Sequence, residues 1–215
     1  MNDIKKVENF FDSYSEAFDA IYDNNSSNFF NKIINNLFRK AMRKRFELTL
    51  NYSEMLGSSV QTVLDIGCGP GRYCEIFSKL NKDVTGIDIA SQMIQFADNR
   101  SKQKNLKIKY LVGDYANYEF NNKFDLAILM GFFDYIKDAN LIISKLKKDC
   151  NFFCASFPKA KHWLTIQRKI RYAMRNCPLF FYEDSQIREI LKKNDINNFE
   201  IVEHDREYFV SASLS

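Results

Sequence analysis

From Val60 to about Phe157 the hydrophobic positions alternate between short apolar runs and helical stripes. The runs around Val63-Leu64-Asp65-Ile66, Val84-Thr85-Gly86-Ile87, Ile108 to Val112 and Leu126 to Met130 leave little polar surface on either face. That pattern suits strands of a parallel sheet covered on both sides. Between them Tyr73, Ile76, Phe77 and Leu80, then Ile94, Phe96 and Ala97, recur at helical spacing. Strand and helix alternating in this way predict an α/β fold with helices on both faces of a mostly parallel sheet. Upstream, Phe11, Tyr14, Phe18 and Tyr22 form an aromatic stripe at helical spacing, so the chain to about Leu56 is predicted helical. A basic helical insertion is expected from Pro158 to Phe181. Ser185 is placed to cap the next helix, with Ile187, Ile190 and Leu191 facing inward, and strands around Ile201-Val202 and Tyr208-Val210 close the chain. A length of 215 residues with 46% hydrophobic content suits a single domain with one core. Within it, residues 1–56 are expected to be a helical cap, 60–157 a ligand-binding core, 158–184 an inserted lid and 185–215 a final helix and strands.

The first apolar run enters a glycine-rich turn, Asp65-Ile66-Gly67-Cys68-Gly69-Pro70-Gly71, followed by a helical stripe. Glycines let the backbone turn sharply and approach a ligand, and the free N–H groups of the following helix favour an anion there. The spacing is not the G-x-G-x-x-G of dinucleotide binders, which argues against an NAD-dependent oxidoreductase. Asp88 ends the second run roughly twenty residues beyond the turn, where a βαβ unit places a ribose-binding carboxylate. Ser91 reads as the start, and a possible cap, of the helix that follows.

The string D-I-G-C-G-P-G resembles the first motif of the class I S-adenosylmethionine (SAM)-dependent methyltransferases, and three further motifs follow in that family's order. The resemblance is specific over roughly residues 60–157 and implies a Rossmann-like seven-stranded sheet with an antiparallel C-terminal hairpin. It also implies that SAM is the cofactor. The methionine half would lie over Asp65, Gly67, Cys68, Gly69 and Gly71, the ribose on Asp88, and the adenine between Ile89 and Met93 with Asp114 and Tyr115 near its amino group. Met130 would close the site at the end of the fourth strand. The segment Tyr14 to Asp19 resembles a Y-x-x-x-F/Y-D stretch that small-molecule members lay across the active site, which brings Tyr14 near the cofactor. Where related enzymes often carry Glu-His after the fourth strand, this chain has Asp134-Tyr135. That departure leaves Tyr14, Asp134, Tyr135 and the insertion's His162 as candidate catalytic residues.

Composition narrows the alternatives. The five cysteines, Cys68, Cys74, Cys150, Cys154 and Cys177, are odd in number and include no C-x-x-C pair. With only two histidines besides, neither a disulfide framework nor a metal site is indicated. The N-terminus has no apolar run long enough for a signal peptide or a membrane span, so a cytoplasmic protein is expected. The net charge of +4 is concentrated in two clusters, Arg39 to Arg45 and Lys159 to Arg175. Such clusters usually form solvated helical faces, although they also suit an acidic substrate, a nucleic acid or peripheral membrane contact. No RNA-binding module or Asn/Asp-Pro-Pro-Tyr string is present, which argues against nucleic acid. The expected function is methyl transfer to an oxygen or nitrogen of a small molecule, the acceptor lying under the N-terminal helices and the insertion with Trp163, Phe180 and Phe181. An RNA methyltransferase and a non-catalytic SAM-binding protein stay open as alternatives.

Overall fold

A computed structural model describes residues 3–20, 29–161 and 177–214, and of residues 13–20 and 29–41 the helical backbone only. Its centre is one seven-stranded sheet in the order β3-β2-β1-β4-β5-β7-β6. The strands are β1 (Thr62–Ile66), β2 (Asp83–Asp88), β3 (Lys109–Val112), β4 (Phe124–Leu129), β5 (Cys150–Pro158), β6 (Phe199–His204) and β7 (Glu207–Ser213). β1 to β5 are parallel, whereas β7 runs antiparallel between β5 and β6, as the sequence led us to expect. The helices are α1 (Asp3–Ala20), α2 (Phe29–Leu56), α3 (Arg72–Lys79), α4 (Ser91–Gln103), α5 (Ala139–Asp149) and α6 (Asp184–Lys193).

The period of two along the central strands sends alternate side chains to opposite faces. In β4, Ala127 and Leu129 enter one buried cluster with Leu64, Ile66, Phe133, Leu146 and Phe153, while Leu126 and Ile128 enter the other with Val63, Phe77, Ile94 and Phe209. The central strands β1, β4 and β5 are therefore apolar on both faces because each face is covered. Direction also matters, since chain order places β2 on one side of β1 and β4 on the other. That reversal opens a crevice at the carboxyl ends of β1 and β4, where sheets of this kind bind ligands.

Three local expectations need revision. Ser185 does not cap α6. The N-cap is Glu183, whose N–H donates to Gln186 Oε1 at 2.8 Å. Nor does Ser91 cap α4. Its N-cap is Ala90, and carboxylates from outside the helix satisfy the first turn, Asp88 Oδ1 accepting from Ala90 N at 2.9 Å and Asp12 Oδ1 from Gln92 N at 3.0 Å. Asp12 thereby ties α1 to the start of α4. Finally, Phe180 packs against the main core, and neither it nor Phe181 faces the cavity described below. Trp163 and His162 lie outside the described residues. The ends of the insertion are joined at the sheet, where Tyr182 N donates to Pro158 O at 2.8 Å and Ala160 N to Tyr182 O at 2.9 Å.

Gly71 shows how tightly the crevice is floored. It has φ +71°, and a Cβ would collide with Tyr110 Oη and stand 3.0 Å from Ala97 Cβ. Gly57 has a similar φ of +58° but open space around the same position. Gly57→Ala should therefore cost only the left-handed backbone term, about 1 kcal/mol, and Gly71→Ala that term plus overpacking, about 2–4 kcal/mol in all. Urea unfolding of the two variants measures the difference, and equal losses would contradict the packing argument.

Candidate active site

The glycine turn is fastened to the end of β2. Ile87 O accepts from Gly67 N at 2.8 Å and from Cys68 N at 3.2 Å. Asp88 Oδ2 accepts from Gly69 N at 2.8 Å, so with Ala90 on Oδ1 both carboxylate oxygens take a backbone N–H. Each oxygen retains a second lone pair for a hydroxyl. Burial raises the pKa of Asp88, and the N–H donors of Ala90 and Gly69 counter that rise. From below, Arg100 Nη2 donates to Pro70 O at 2.6 Å while its Nε meets Glu75, which Lys104 Nζ also reaches at 2.6 Å. Burial opposes the charge on Glu75, but its hydrogen bonds to Lys104 and Arg100 prevail and lower its pKa.

Above this turn lies a cavity of about 190 Å³. One half is walled by Asp65, Gly67, Cys68, Gly69, Asp88, Ile89, Met93, Asp114 and Tyr115, and the other by Met130 to Phe132, Asp134, Tyr135, Arg45, Arg206 and Glu207. Ile4, Val7 and Phe11 from α1 and Met42 and Phe46 from α2 contribute to its wall. A Cβ on Gly69 would meet nothing within 4 Å, so the open space extends to the backbone itself. On the far side, Phe11 and Tyr135 meet edge to face at 5.0 Å, and Phe46 stacks on Tyr73 at 4.0 Å.

A sequence profile of the family described as Methyltransferase domain matches residues 63–148. Residues 63–148 are thus a methyltransferase domain by sequence. It is 29% identical over 146 residues to a ubiquinone biosynthesis O-methyltransferase of Pelagibacter ubique, covering 63% of this chain and 61% of that protein. It is 30% identical over 118 residues to a malonyl-[acyl-carrier protein] O-methyltransferase of Acetivibrio thermocellus, covering 52% and 41%. This chain thus spans about three-fifths or less of the length of these curated relatives. Among solved structures, magnesium protoporphyrin IX methyltransferase of Synechocystis with bound SAH shares the fold over 100% of both chains, with a TM-score of 0.80 and 21% identity.

Most residues singled out in the sequence converge on the cavity of this methyltransferase domain. Asp65, Gly67, Cys68, Gly69, Asp88, Ile89, Met93, Asp114, Tyr115, Met130, Asp134 and Tyr135 all line it. Gly71 does not: it stands behind the turn against Tyr110 and Ala97, which is why it must be glycine. Tyr115 lines the cavity but belongs to the main core, and its hydroxyl donates to Asp149 Oδ2 at 3.0 Å. Asp114 spends its oxygens on Ala116 N at 3.0 Å and Asn117 Nδ2 at 2.7 Å, shaping the short helical turn that follows β3. The backbone of α1 carries Tyr14, whose side chain lies outside the described residues, as does His162. No described helix is long and apolar enough to cross a membrane.

Two residues of the wall were missed or misread. Arg45 belongs to the basic cluster expected to be a solvated face, yet it is largely withdrawn from solvent in a two-pronged pair with Glu207, Nε donating to Oε1 at 2.9 Å and Nη2 to Oε2. A signal for this was present, because Met42, Arg45, Thr49 and Tyr52 fall on one helical stripe, and Met42, Thr49 and Tyr52 are buried. Glu207 carried no such signal. It reaches the site only because β7 inserts beside β5.

The two buried acids respond oppositely to their surroundings. Burial pushes Asp65 up to about 7, the hydrogen bond from Cys74 Sγ at 3.2 Å only partly opposing it. Burial would raise Glu207 too, but Arg45, with help from His204 at 3.1 Å, brings it down to about 2. A raised acid binds protons more tightly folded than unfolded, so the Asp65 contribution is present at low pH and is lost between about pH 4 and pH 7. The depressed Glu207 contributes stability above about pH 4.5 that is lost as pH falls towards 2. Each amounts to on the order of 3 kcal/mol. Urea unfolding from pH 2 to 8 should show Asp65→Asn removing the decline on the neutral side. Glu207→Gln, destabilised throughout, should show a shallower acid limb; unchanged slopes in both would refute these assignments.

Proposed function

We propose that this protein transfers the methyl group of SAM to an oxygen of a small-molecule acceptor, with residues 1–215 acting as one domain. The observation that carries the reading is the single cavity joining the fastened glycine turn to a second, partly aromatic wall around Asp134 and Tyr135. The two relatives described above are both O-methyltransferases, which supports oxygen as the accepting atom. SAM supplies a methyl group already activated by a positively charged sulfur. The protein's task is then to hold nucleophile and methyl in line and to exclude water.

In this reading the Asp65 carboxylate takes the amine of the methionine half, which lies over the backbone of Gly67, Cys68 and Gly69, whose own N–H groups are already given to Ile87 O and Asp88. Asp88 takes the ribose hydroxyls on its remaining lone pairs. Ile89 and Met93 hold the adenine against Asp114 and Tyr115, and Met130 sits below the reacting centre. Tyr135 and Asp134 orient the acceptor, with Tyr14 and His162 as further candidates brought by α1 and the insertion. α1 completes the enclosure, and Asp12 secures it to α4.

Calorimetric titration tests the assignment. SAM and S-adenosylhomocysteine (SAH) should bind at micromolar levels and NAD should not. Asp88→Ala should weaken binding at least about tenfold, because hydrogen bonds to a charged group are lost. Affinity for SAM should rise with pH through about 7, as Asp65 ionises and can receive the ammonium group. Failure to bind either ligand would overturn the proposed activity.

A further inference from the structure

We infer that Arg45 anchors the acceptor through its accepting oxygen, held as an oxyanion, and so selects acidic hydroxyl or carboxylate groups over amines. The inference rests on the methyltransferase reading above and adds the chemical class of the acceptor. Arg45 enters the cavity from α2, at the carboxyl end of β4. Glu207 occupies its Nε and Nη2, which fixes the plane of the guanidinium. The third nitrogen is turned to the other side. A Cβ on Gly131 would stand 3.5 Å from Arg45 Nη1 and 3.6 Å from Asp134 Oδ2. Because Gly131 has no side chain and a φ of +76°, that space belongs to the cavity. With two nitrogens held by Glu207 and the third turned to that space beside Asp134, the guanidinium can offer an N–H to an acceptor oxygen.

The neighbouring groups sharpen the choice. Asp134 follows β4, Tyr73 comes from α3, Arg206 and Glu207 from the β6–β7 hairpin, and His204 stands behind Glu207. Burial works against the charge on Arg45, but Glu207, Tyr73 and Asp134 keep it fully cationic. Glu207 is too acidic to serve as a base near neutral pH. The wall is thus better suited to binding an acceptor already ionised than to removing its proton. The count of lone pairs points the same way. The hydroxyl or carboxyl loses its proton to solvent on binding; a lone pair of the resulting oxyanion then forms the C–O bond as the C–S bond breaks, sulfur keeps that electron pair, and a neutral ether or ester results. A neutral amine has a single lone pair, which must attack the methyl group and leaves none to accept from Nη1, whereas an oxygen keeps others.

The test uses 4-nitrophenol, whose anion absorbs visible light, bound to the full chain saturated with SAH. In the wild type the bound phenol should titrate about one pH unit below the free phenol. Benzoate should displace it and benzylamine should not. Arg45→Met with Glu207→Gln removes both charges together, which buried pairs tolerate better than the loss of one partner. This double variant should bind SAH as the wild type does, while the phenol returns to its free titration. No depression in the wild type, an equal depression in the variant, or displacement by benzylamine would overturn the inference. Loss of SAH affinity in the variant would assign Arg45 to the cofactor's carboxylate and overturn it as well. If the wild type itself binds no SAH, the methyltransferase reading falls first and the inference falls with it.

Discussion

The binding crevice depends on the attachment of the glycine turn to the end of β2. Ile87 O takes two consecutive N–H groups of the turn, and Asp88 takes the next through its side chain. A turn without a side chain at three of its positions would be costly to order by itself, since glycine loses more backbone freedom than any other residue. Three hydrogen bonds to a strand already paired on both sides, with β1 and β3, offset that cost. They also set the distance between the turn and Asp88, and hence the span of any ligand that touches both. Arg100 and Glu75 hold the same loop from below through Pro70 O.

The opposite wall is built by a different device. Arg45 and Glu207 join the N-terminal helices to the last strand, more than 160 residues apart in the chain. Tyr52 repeats the link about two turns further along α2, its hydroxyl donating to Ala212 O at 3.0 Å. Breaking such a buried ion pair by removing one partner costs more than its formation contributes, so the pair acts mainly to specify one arrangement of α2 on the sheet. That arrangement is what gives the cavity a second half. On the near side Asp12 performs the same task for α1 with a single hydrogen bond.

The cavity holds several buried acids, an arrangement that is unfavourable for folding and useful for binding. Asp65 is 2% exposed and is pushed up by that burial, so it meets a cationic group at the cost of its own proton. The nearby thiol of Cys74 is the donor that limits the penalty. Glu207 bears the same burial and is rescued by a full charge rather than a weak S–H donor. The difference between a thiol and a guanidinium as neighbour accounts for two carboxyls in one cavity ending about five pH units apart.

By itself the sequence determined the α/β architecture, the position of the glycine turn and the carboxylate of Asp88. These are local: an apolar run of four or five residues, a turn that only glycine permits, and a spacing imposed by one βαβ unit. The helix caps were read less well, because the donors of α4 are satisfied by Asp88 and by Asp12, which is 80 residues away in sequence. The wall around Arg45 and Glu207 was the least legible. Arg45 carries the same charge as its exposed neighbours Arg43 and Lys44, and only the docking of α2 on β7 decides which of them turns inward. Glu207 sits in a short strand whose pattern says nothing about a cavity. Local pattern specifies elements through steric and hydrophobic periodicity, whereas the pairing of charges across the sheet exists only once tertiary packing has brought them out of water.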